Sequence, residues 1–152
     1  MEQKFFFFDI DNTLAVWPEG KIPDSAQYCI DELQRRGHLV SIATGRIQVD
    51  AMRFAEQARI TNVVADGGHS ITIDGKLVSM IGMNRDMCIQ YLEYLESKHI
   101  PWAVTDRNKL GRITPYKEIL EWHPDWDVFK TVVDSEFDFH SVEDFYKIYV
   151  FF

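Results

Sequence analysis

The sequence predicts an α/β fold built on a parallel β-sheet, followed by a smaller, partial α+β region. Three apolar strand patterns alternate with two amphipathic helix patterns in the first part of the chain. Such a βαβαβ alternation predicts right-handed crossovers and a doubly wound parallel sheet. The pattern changes near Gly82, so we expect residues 1–81 to form part of a core domain and residues 82–152 to form part of a second domain.

The elements of the first region follow from apolar periodicity and turn residues. A continuous apolar run predicts a strand covered on both faces, and apolar residues at helical spacing predict a helix. We expect Asp24 or Ser25 to cap the first helix, and Asp74-Gly75 to form a type I′ hairpin turn. The predicted elements are a strand over 4–10, a helix over 25–36, a strand over 38–44, a helix over 46–59, a strand over 62–65 and hairpin strands over 71–73 and 76–78.

The second region mixes helix and strand patterns. An apolar stripe predicts a helix over 85–99, which Pro101 ends. Between residues 107 and 140 the sequence predicts only a short helix near 116–122 and an aromatic-rich loop. The remaining elements expected are strands over 102–105 and 147–152 and one turn capped by Ser141.

The composition is that of an ordinary soluble protein and excludes some partners. Of the 152 residues, 46% are apolar and 26% are charged, with a net charge of −8. Nucleic-acid and anionic-membrane binders need a positive footprint, so we expect neither partner. A phosphorylated substrate remains compatible with this charge if a cation or backbone N–H groups make its site positive. No apolar run approaches the ~18 residues of a membrane span, and two cysteines form no disulfide framework, so a reducing cytoplasm is expected.

Two carboxylates follow the first predicted strand, in the segment Asp9-Ile10-Asp11-Asn12-Thr13-Leu14. Open α/β sheets bind ligands outside the carboxyl ends of their strands. Two carboxylates this close repel each other unless a cation such as Mg²⁺ is present. One carboxylate can then attack phosphorus to give an aspartyl-phosphate, while the other exchanges protons with the leaving oxygen and with water. The alternative is a turn on a solvated loop, which the position at a strand end disfavours.

A second segment, Ile42-Ala43-Thr44-Gly45-Arg46, lies where the second predicted strand ends. The Thr44 hydroxyl and the N–H groups of a helix N-terminus would form an anion site for a phosphate oxygen. Gly45 would let the backbone approach the ligand, and Arg46 would add a charge-assisted contact. Taken alone, the segment fits equally well a helix that Thr44 caps, with Arg46 solvated.

Together the two segments resemble the first two signature motifs of the haloacid dehalogenase (HAD) superfamily. The order of Ala-Thr-Gly-Arg, helix, strand and glycine-containing turn is similar to the Cof-type sugar-phosphatase branch, although Asp66 stands where asparagine is usual. The resemblance implies a HAD-like Rossmannoid core. Only 35 positions (44 − 9) separate Asp9 from Thr44, which leaves no room for a cap there. A C2-type cap is therefore expected after the second motif.

The resemblance also implies a role for each residue. Asp9 would be the nucleophile and a metal ligand, and Asp11 the general acid/base that binds Mg²⁺, the implied cofactor, through its backbone carbonyl. The implied reaction is hydrolysis of a small phosphorylated metabolite, for which a sugar phosphate is one candidate. The phosphate-binding residues implied are Asn12, Thr44, Gly45 and Arg46.

The family pattern continues past the cap with a lysine motif and a Gly-Asp-x-x-x-Asp-type acidic motif, and neither occurs in this sequence. Without strands beyond the one that carries Asp9, the run Phe5 to Phe8 would lie on an exposed sheet edge. We therefore expect a truncated product with weak or absent activity in isolation. The alternatives are a non-catalytic fragment that associates with another chain through this edge, and a phosphotransferase or mutase of the same superfamily.

Overall fold

The computed structural model describes residues 2–16, 20–125 and 128–152. The chain divides into two compact units, Met1–Met80 and Ile81–Phe152. Among the described residues, no helix has both the length and the apolar character needed to cross a membrane. The parallel-rich α/β architecture confirms the predicted fold class. The interpretation of the second unit as a partial cap stays a prediction.

The first unit is a five-stranded sheet with two helices. Its elements are β1 (Phe5–Phe8), α1 (Asp24–Arg35), β2 (Leu39–Ala43), α2 (Gln48–Ala58), β3 (Asn62–Ala65), β4 (Ser70–Ile73) and β5 (Lys76–Met80). The strand order is β1-β2-β3-β4-β5, and the first three strands run parallel. β4 and β5 continue the sheet as an antiparallel hairpin.

Both helices of this unit pack on the same face of the sheet. Ile42 and Val63 of the sheet share one hydrophobic cluster with Ile30 of α1 and Phe54 of α2. Both crossover helices therefore cover one face of the described sheet, as in one βαβαβ half of a doubly wound fold, and helices on the opposite face stay a prediction. Burying each of the large aliphatic side chains in this core stabilises the fold by about 2 kcal/mol.

Of two predicted local features, the cap of the first helix is wrong and the type I′ hairpin turn is confirmed. α1 begins at Asp24 after Pro23, and no side chain accepts a hydrogen bond from its first N–H groups, so the predicted cap by Asp24 or Ser25 is wrong. Pro23 already has the fixed φ that precedes a helix, at −63°. Asp74 and Gly75 have φ values of 49° and 75°, as the predicted type I′ turn requires.

The second unit packs one long helix and one short helix with a four-stranded mixed sheet. Its strand order is β8-β7-β6-β9, in which only β7 and β8 run parallel. The hydrophobic cluster between α3 and the sheet is centred on Trp102, Leu92 and Phe145. The elements are α3 (Arg85–Ser97), β6 (Trp102–Thr105), β7 (Gly111–Thr114), α4 (Glu118–Trp122), β8 (Lys130–Val133) and β9 (Lys147–Val150).

The segment between β6 and β9 differs most from the sequence-based expectation. β7 and β8 were not predicted, because β7 begins with glycine, which weakens a strand pattern, and only two of the four residues of β8 are apolar. Ser141 does not cap a turn. It ends a 3₁₀ turn over Phe139–Ser141, whose cap is Asp138, since the Asp138 carboxylate accepts a hydrogen bond from the His140 N–H.

Replacing Gly111 by alanine is expected to destabilise the second unit. A β-carbon at Gly111 would lie 2.4 Å from the backbone oxygen of Lys130, so β7 and β8 would have to move apart. We expect a loss of about 1–3 kcal/mol in the free energy of unfolding, measured by urea titration with tryptophan fluorescence. Gly45→Ala is the matched control, because its β-carbon would meet no atom within 4 Å. Equal stability of the two variants would contradict the expectation that the close approach of β7 and β8 requires glycine at position 111.

Candidate active site

The predicted catalytic residues follow the carboxyl ends of two neighbouring parallel strands. The register places Phe8 of β1 beside Ile42 of β2, so that Asp9 and Thr44 emerge at the same edge of the sheet. Both residues line one cavity of about 470 Å³. The other lining residues are Ala43, Gly45, Val64, Gly67 and Gly68. The structure thus brings Asp9, Thr44 and Gly45 together.

Asp9 enters this cavity from a tight turn that stops β1. The backbone N–H groups of Leu14 and Ala15 donate to the carbonyl oxygen of Ile10 at 3.0 and 2.8 Å. The carbonyl oxygen of Asp9 accepts from the Leu14 N–H at 3.2 Å. Asp9 itself is exposed, so its carboxylate is accessible to a ligand in the cavity.

Thr44 is held by hydrogen bonds at its backbone and at its side chain. Its N–H donates to Val64 O at 3.0 Å, and its carbonyl accepts from the Gly67 N–H at 3.2 Å. Its Oγ1 accepts from the Arg46 N–H at 3.2 Å, and the residue is only 8% exposed. A hydroxyl that accepts one hydrogen bond can still donate its own proton. The Thr44 hydroxyl therefore keeps its own proton to donate, and its contact with a phosphate oxygen stays a prediction.

The turn that follows β3 contributes backbone to the cavity wall. Asp66, Gly67 and Gly68 have positive φ values of 53°, 63° and 105°. A β-carbon at either glycine would meet no atom within 4 Å, so the absence of side chains leaves that space to the cavity. Glycine adopts these conformations without strain and lets a ligand approach the backbone closely.

Asp66 holds the start of α2, a function that the sequence analysis did not identify. α2 begins at Gln48 and is preceded by Ile47, so Thr44 does not cap it. Oδ2 of Asp66 accepts hydrogen bonds from the Gln48 N–H at 3.0 Å and from Ser70 Oγ at 2.8 Å. One N–H group of this helix N-terminus therefore faces a carboxylate rather than the expected phosphate. The sequence feature that could have indicated this role is an aspartate that directly follows a predicted strand and precedes two glycines.

Arg46 lies outside the cavity lining and binds two carboxylates. Its Nε and Nη2 donate to the two carboxylate oxygens of Asp11 at 2.9 and 2.6 Å, and its Nη1 donates to Asp50 Oδ2 at 2.6 Å. Its guanidinium also lies 4.6 Å from the ring centroid of Phe54, a cation–π contact. Hydrogen bonding to Asp11 is the main cause of the raised pKa of Arg46. A solvated Arg46 is therefore wrong, and phosphate binding by this residue stays a prediction.

Asn12 also lies outside the cavity lining. It is exposed and adopts a left-handed conformation with φ 60°, which asparagine tolerates better than most residues. Its N–H donates to Ala15 O at 3.0 Å, which helps to close the turn after β1. The structure thus gives Asn12 a role in the turn, and its contact with phosphate stays a prediction.

The donors at this site fit Mg²⁺ in part. Mg²⁺ binds through one or two protein carboxylates and fills its other positions with water and phosphate oxygens. The Asp9 carboxylate is open to the cavity, whereas Arg46 holds the Asp11 carboxylate. Asp11 would therefore contribute its backbone carbonyl, as the resemblance implies. Within the described ranges, no three His, Cys, Asp or Glu side chains cluster as a metal site, so Asp9 and Asp11 stay predicted ligands.

Comparisons with known proteins identify the family. A sequence model of haloacid dehalogenase-like hydrolases matches residues 6–152. This chain belongs to the haloacid dehalogenase-like hydrolase family. The resemblance read from the two motifs is thereby confirmed. YkrA of Bacillus subtilis, provisionally named a phosphatase, is 32% identical over 122 residues, which make up 80% of this chain and 47% of YkrA.

Solved structures share the fold of this HAD-family chain. A hypothetical protein from Geobacillus kaustophilus matches with a TM-score of 0.75 at 23% identity, over 99% of this chain and 58% of its own length. A sugar phosphatase of HAD subclass IIB matches with a TM-score of 0.68 at 18% identity, over 95% of this chain and 56% of its own. The chain therefore spans about half of the length of these relatives.

Replacing Asp66 by alanine is expected to loosen the contact between the glycine turn and α2. The Gln48 N–H and the Ser70 hydroxyl would lose their acceptor, which costs about 1–2 kcal/mol of unfolding free energy. Asp66→Asn keeps one carbonyl oxygen as an acceptor and should lose less. Thermal unfolding followed by circular dichroism compares the variants, and an equal loss in both would contradict the role assigned to the carboxylate.

Proposed function

We propose that this HAD-family chain carries the phosphoryl-accepting residues of a Mg²⁺-dependent phosphomonoester hydrolase. The observation that supports the proposal most directly is that an exposed Asp9 and Thr44 line the same cavity. The substrate class is a small phosphorylated metabolite, with a sugar phosphate as the first candidate. The phosphatase name of YkrA and the sugar phosphatase among the solved structures support this class.

Asp9 is the nucleophile in this mechanism. One of its carboxylate oxygens attacks phosphorus in line with the leaving oxygen, the bond to the leaving group breaks, and an aspartyl-phosphate forms. Thr44 donates its hydroxyl proton in a hydrogen bond to a phosphate oxygen, while the backbone of Gly67 and Gly68 allows close approach. The Asp9 carboxylate and the Asp11 carbonyl would hold Mg²⁺, which would supply positive charge beside the phosphate oxygens.

Asp11 is the general acid/base, and Arg46 positions it. Asp11 would donate a proton to the leaving oxygen once one of its oxygens has exchanged the hydrogen bond from Arg46 for a proton taken from solvent, and it would later accept a proton from the water that hydrolyses the aspartyl-phosphate. The bidentate contact with Arg46 fixes the plane of the Asp11 carboxylate, and Asp50 and Phe54 fix Arg46 in turn. A proton donor with a fixed orientation is more effective than a mobile one.

Catalysis by the 152-residue chain alone is proposed to be weak or absent. None of the described residues that line the cavity carries a positive charge. Arg46 already forms hydrogen bonds with two carboxylates, so its charge is largely compensated. A phosphate dianion beside Asp9 therefore depends on Mg²⁺ and backbone N–H groups for neutralisation, which leaves the transition state poorly stabilised.

A cytoplasmic location is part of this proposal. Both cysteines are free, with Cys29 exposed and Cys88 buried. Burial raises the pKa of the Cys88 thiol and keeps it in its unreactive protonated form. Free thiols are compatible with a reducing compartment.

Asp9→Asn is expected to abolish turnover of p-nitrophenyl phosphate in the presence of Mg²⁺. Asparagine cannot attack phosphorus, so the rate should fall at least ~100-fold from a low starting value. Asp74→Asn is the matched control, because asparagine suits the type I′ turn far from this chemistry. Measurable turnover that is unchanged in Asp9→Asn would contradict the role of Asp9 as the nucleophile, and rapid turnover by the unmodified chain would contradict the proposed weak activity. Transfer to alcohols in preference to water would identify a phosphotransferase.

Arg46→Met is expected to lower kcat about 10- to 100-fold with a smaller change in KM, because Asp11 loses its position. Arg53→Met is the control, since it removes another guanidinium that contacts Asp50, at 3.2 Å, and leaves both hydrogen bonds from Arg46 to Asp11 in place. Steady-state kinetics on p-nitrophenyl phosphate separate the two parameters. A raised KM at unchanged kcat would favour phosphate binding by Arg46 and contradict the positioning role.

A further inference from the structure

His140 lies in the 3₁₀ turn of the second unit and bridges two carboxylates. Its Nε2 lies 3.2 Å from Oε1 of Glu93 on α3, and its Nδ1 lies 3.0 Å from Oδ1 of Asp138, just before the turn. A neutral imidazole carries one N–H group, whereas an imidazolium carries two. Because an ionised carboxylate can only accept, both contacts are hydrogen bonds only when His140 is cationic.

The stacking of His140 on Phe139 favours the same cationic form. The centroids of the two rings are 4.2 Å apart, and their planes are inclined by 27°. An aromatic face attracts a cation. Phe139 also packs against Trp102 in a T-shaped arrangement, with ring centroids 5.3 Å apart. His140 is thus connected through Phe139 to the hydrophobic cluster between α3 and the sheet.

Arg85 attaches the turn to α3 independently of the charge on His140. Its Nη2 donates to the carbonyl oxygen of His140 at 2.6 Å, and its Nε donates to that of Val142 at 2.8 Å. Among the described residues, the charged side chains in contact with the turn are Glu93 and Arg85 from α3 and Asp138 from the turn's own segment. The two carboxylates favour protonation of His140, and the guanidinium opposes it.

The same segment forms part of a cavity within the second unit. Residues 141–144 line a space of about 440 Å³, with Asp106 and Arg107 among the other lining residues. Directly after them, the carbonyl oxygen of Phe145 accepts from the Met83 N–H at 2.7 Å, near the start of this unit. A change in the attachment of the turn to α3 would therefore alter one wall of this cavity.

We propose that His140 is a proton-controlled latch that fixes this wall of the cavity. As an imidazolium, it binds Glu93 and Asp138 together and holds the turn against α3. When the ring loses its proton to solvent, one of its nitrogens presents a lone pair to a carboxylate, and that contact is lost. Arg85 and the packing of Phe139 then hold the turn, which opens locally more often.

The latch is closed in mildly acidic solution and released as the pH rises. Hydrogen bonding to Glu93, and then to Asp138, raises the pKa of His140 above its ordinary value. Stability from a pKa that folding raises is complete below the unfolded pKa, about 6.5 for histidine, and is lost as the pH rises through the folded pKa. The pKa of Asp138 is lowered, chiefly by the hydrogen bond from the His140 N–H, so its carboxylate stays ionised throughout.

The latch is independent of the proposed function. Glu93, Asp138 and His140 belong to the second unit, and none of them lines the cavity beside Asp9. The contacts that form the latch join residues between Arg85 and Val142, so they do not depend on an open sheet edge. Its tests require no phosphoryl transfer, and either proposal can fail while the other holds.

NMR titration of the histidine ring protons in the 152-residue chain tests the charge on His140. We expect His140, identified by the signal that His140→Gln removes, to have a higher pKa in the folded chain than in the urea-unfolded chain. Glu93→Gln removes the negative charge beside Nε2 and should lower the proton affinity of His140 at least about twofold. Glu121→Gln is the matched control, because it removes one carboxylate from α4 and should leave that affinity unchanged.

Amide hydrogen exchange tests whether the turn opens. After correction for the intrinsic exchange rate at each pH, the protection of residues 139–142 should fall several-fold as the pH rises through the measured pKa, while β6 keeps its protection. His140→Gln should show the lower protection of the turn at both pH values. A His140 pKa no higher than in the unfolded chain, an unchanged proton affinity in Glu93→Gln, or protection of the turn that does not depend on the charge of His140 would each overturn the inference.

Discussion

Parallel pairing of β1 with β2, and of β2 with β3, is the constraint on which the candidate active site depends. Each strand reaches the same edge of the sheet with its carboxyl end, so the loops that follow the three strands meet there. Backbone hydrogen bonds then join two of these loops, from the Asp66 N–H to Arg46 O at 2.8 Å and from the Gly67 N–H to Thr44 O at 3.2 Å. The position of Asp9 beside Thr44 is thus a consequence of strand direction, and no side-chain contact between them is needed.

Electrostatics explains how an acidic chain can present a phosphate site. Arg46 neutralises part of the charge of Asp11 and Asp50, and Asp66 places its charge at the N-terminus of α2. Three potentially repelling carboxylates are thereby compensated within the protein. The Asp9 carboxylate remains accessible in the cavity, where it can meet a cation or a phosphorus atom. This distribution of charge separates the proposed nucleophile from the residues that hold the loops in place.

The sequence predicted the features that depend on local pattern. The apolar run of β1, the Asp74-Gly75 turn and the two motifs at strand ends were recognised, because each carries its signal within a few neighbouring residues. Features that depend on contacts between residues distant in sequence were not predictable in this way. The side of the sheet on which α1 and α2 pack, and the carboxylates that Arg46 binds, depend on residues distant in sequence. β7 and β8 were missed because β7 begins with Gly111 and only half of the residues of β8 are apolar, although a close backbone contact at Gly111 requires that glycine.

The central claim is that the Asp9 carboxylate accepts a phosphoryl group. Beryllofluoride binds carboxylates as a mimic of an acyl phosphate, so fluorine NMR of the chain with beryllofluoride and Mg²⁺ tests the claim directly and without turnover. We expect protein-bound fluorine signals for the unmodified chain and for Asp74→Asn, and none for Asp9→Asn. Bound signals that persist in Asp9→Asn, or that are absent from the unmodified chain, would contradict it.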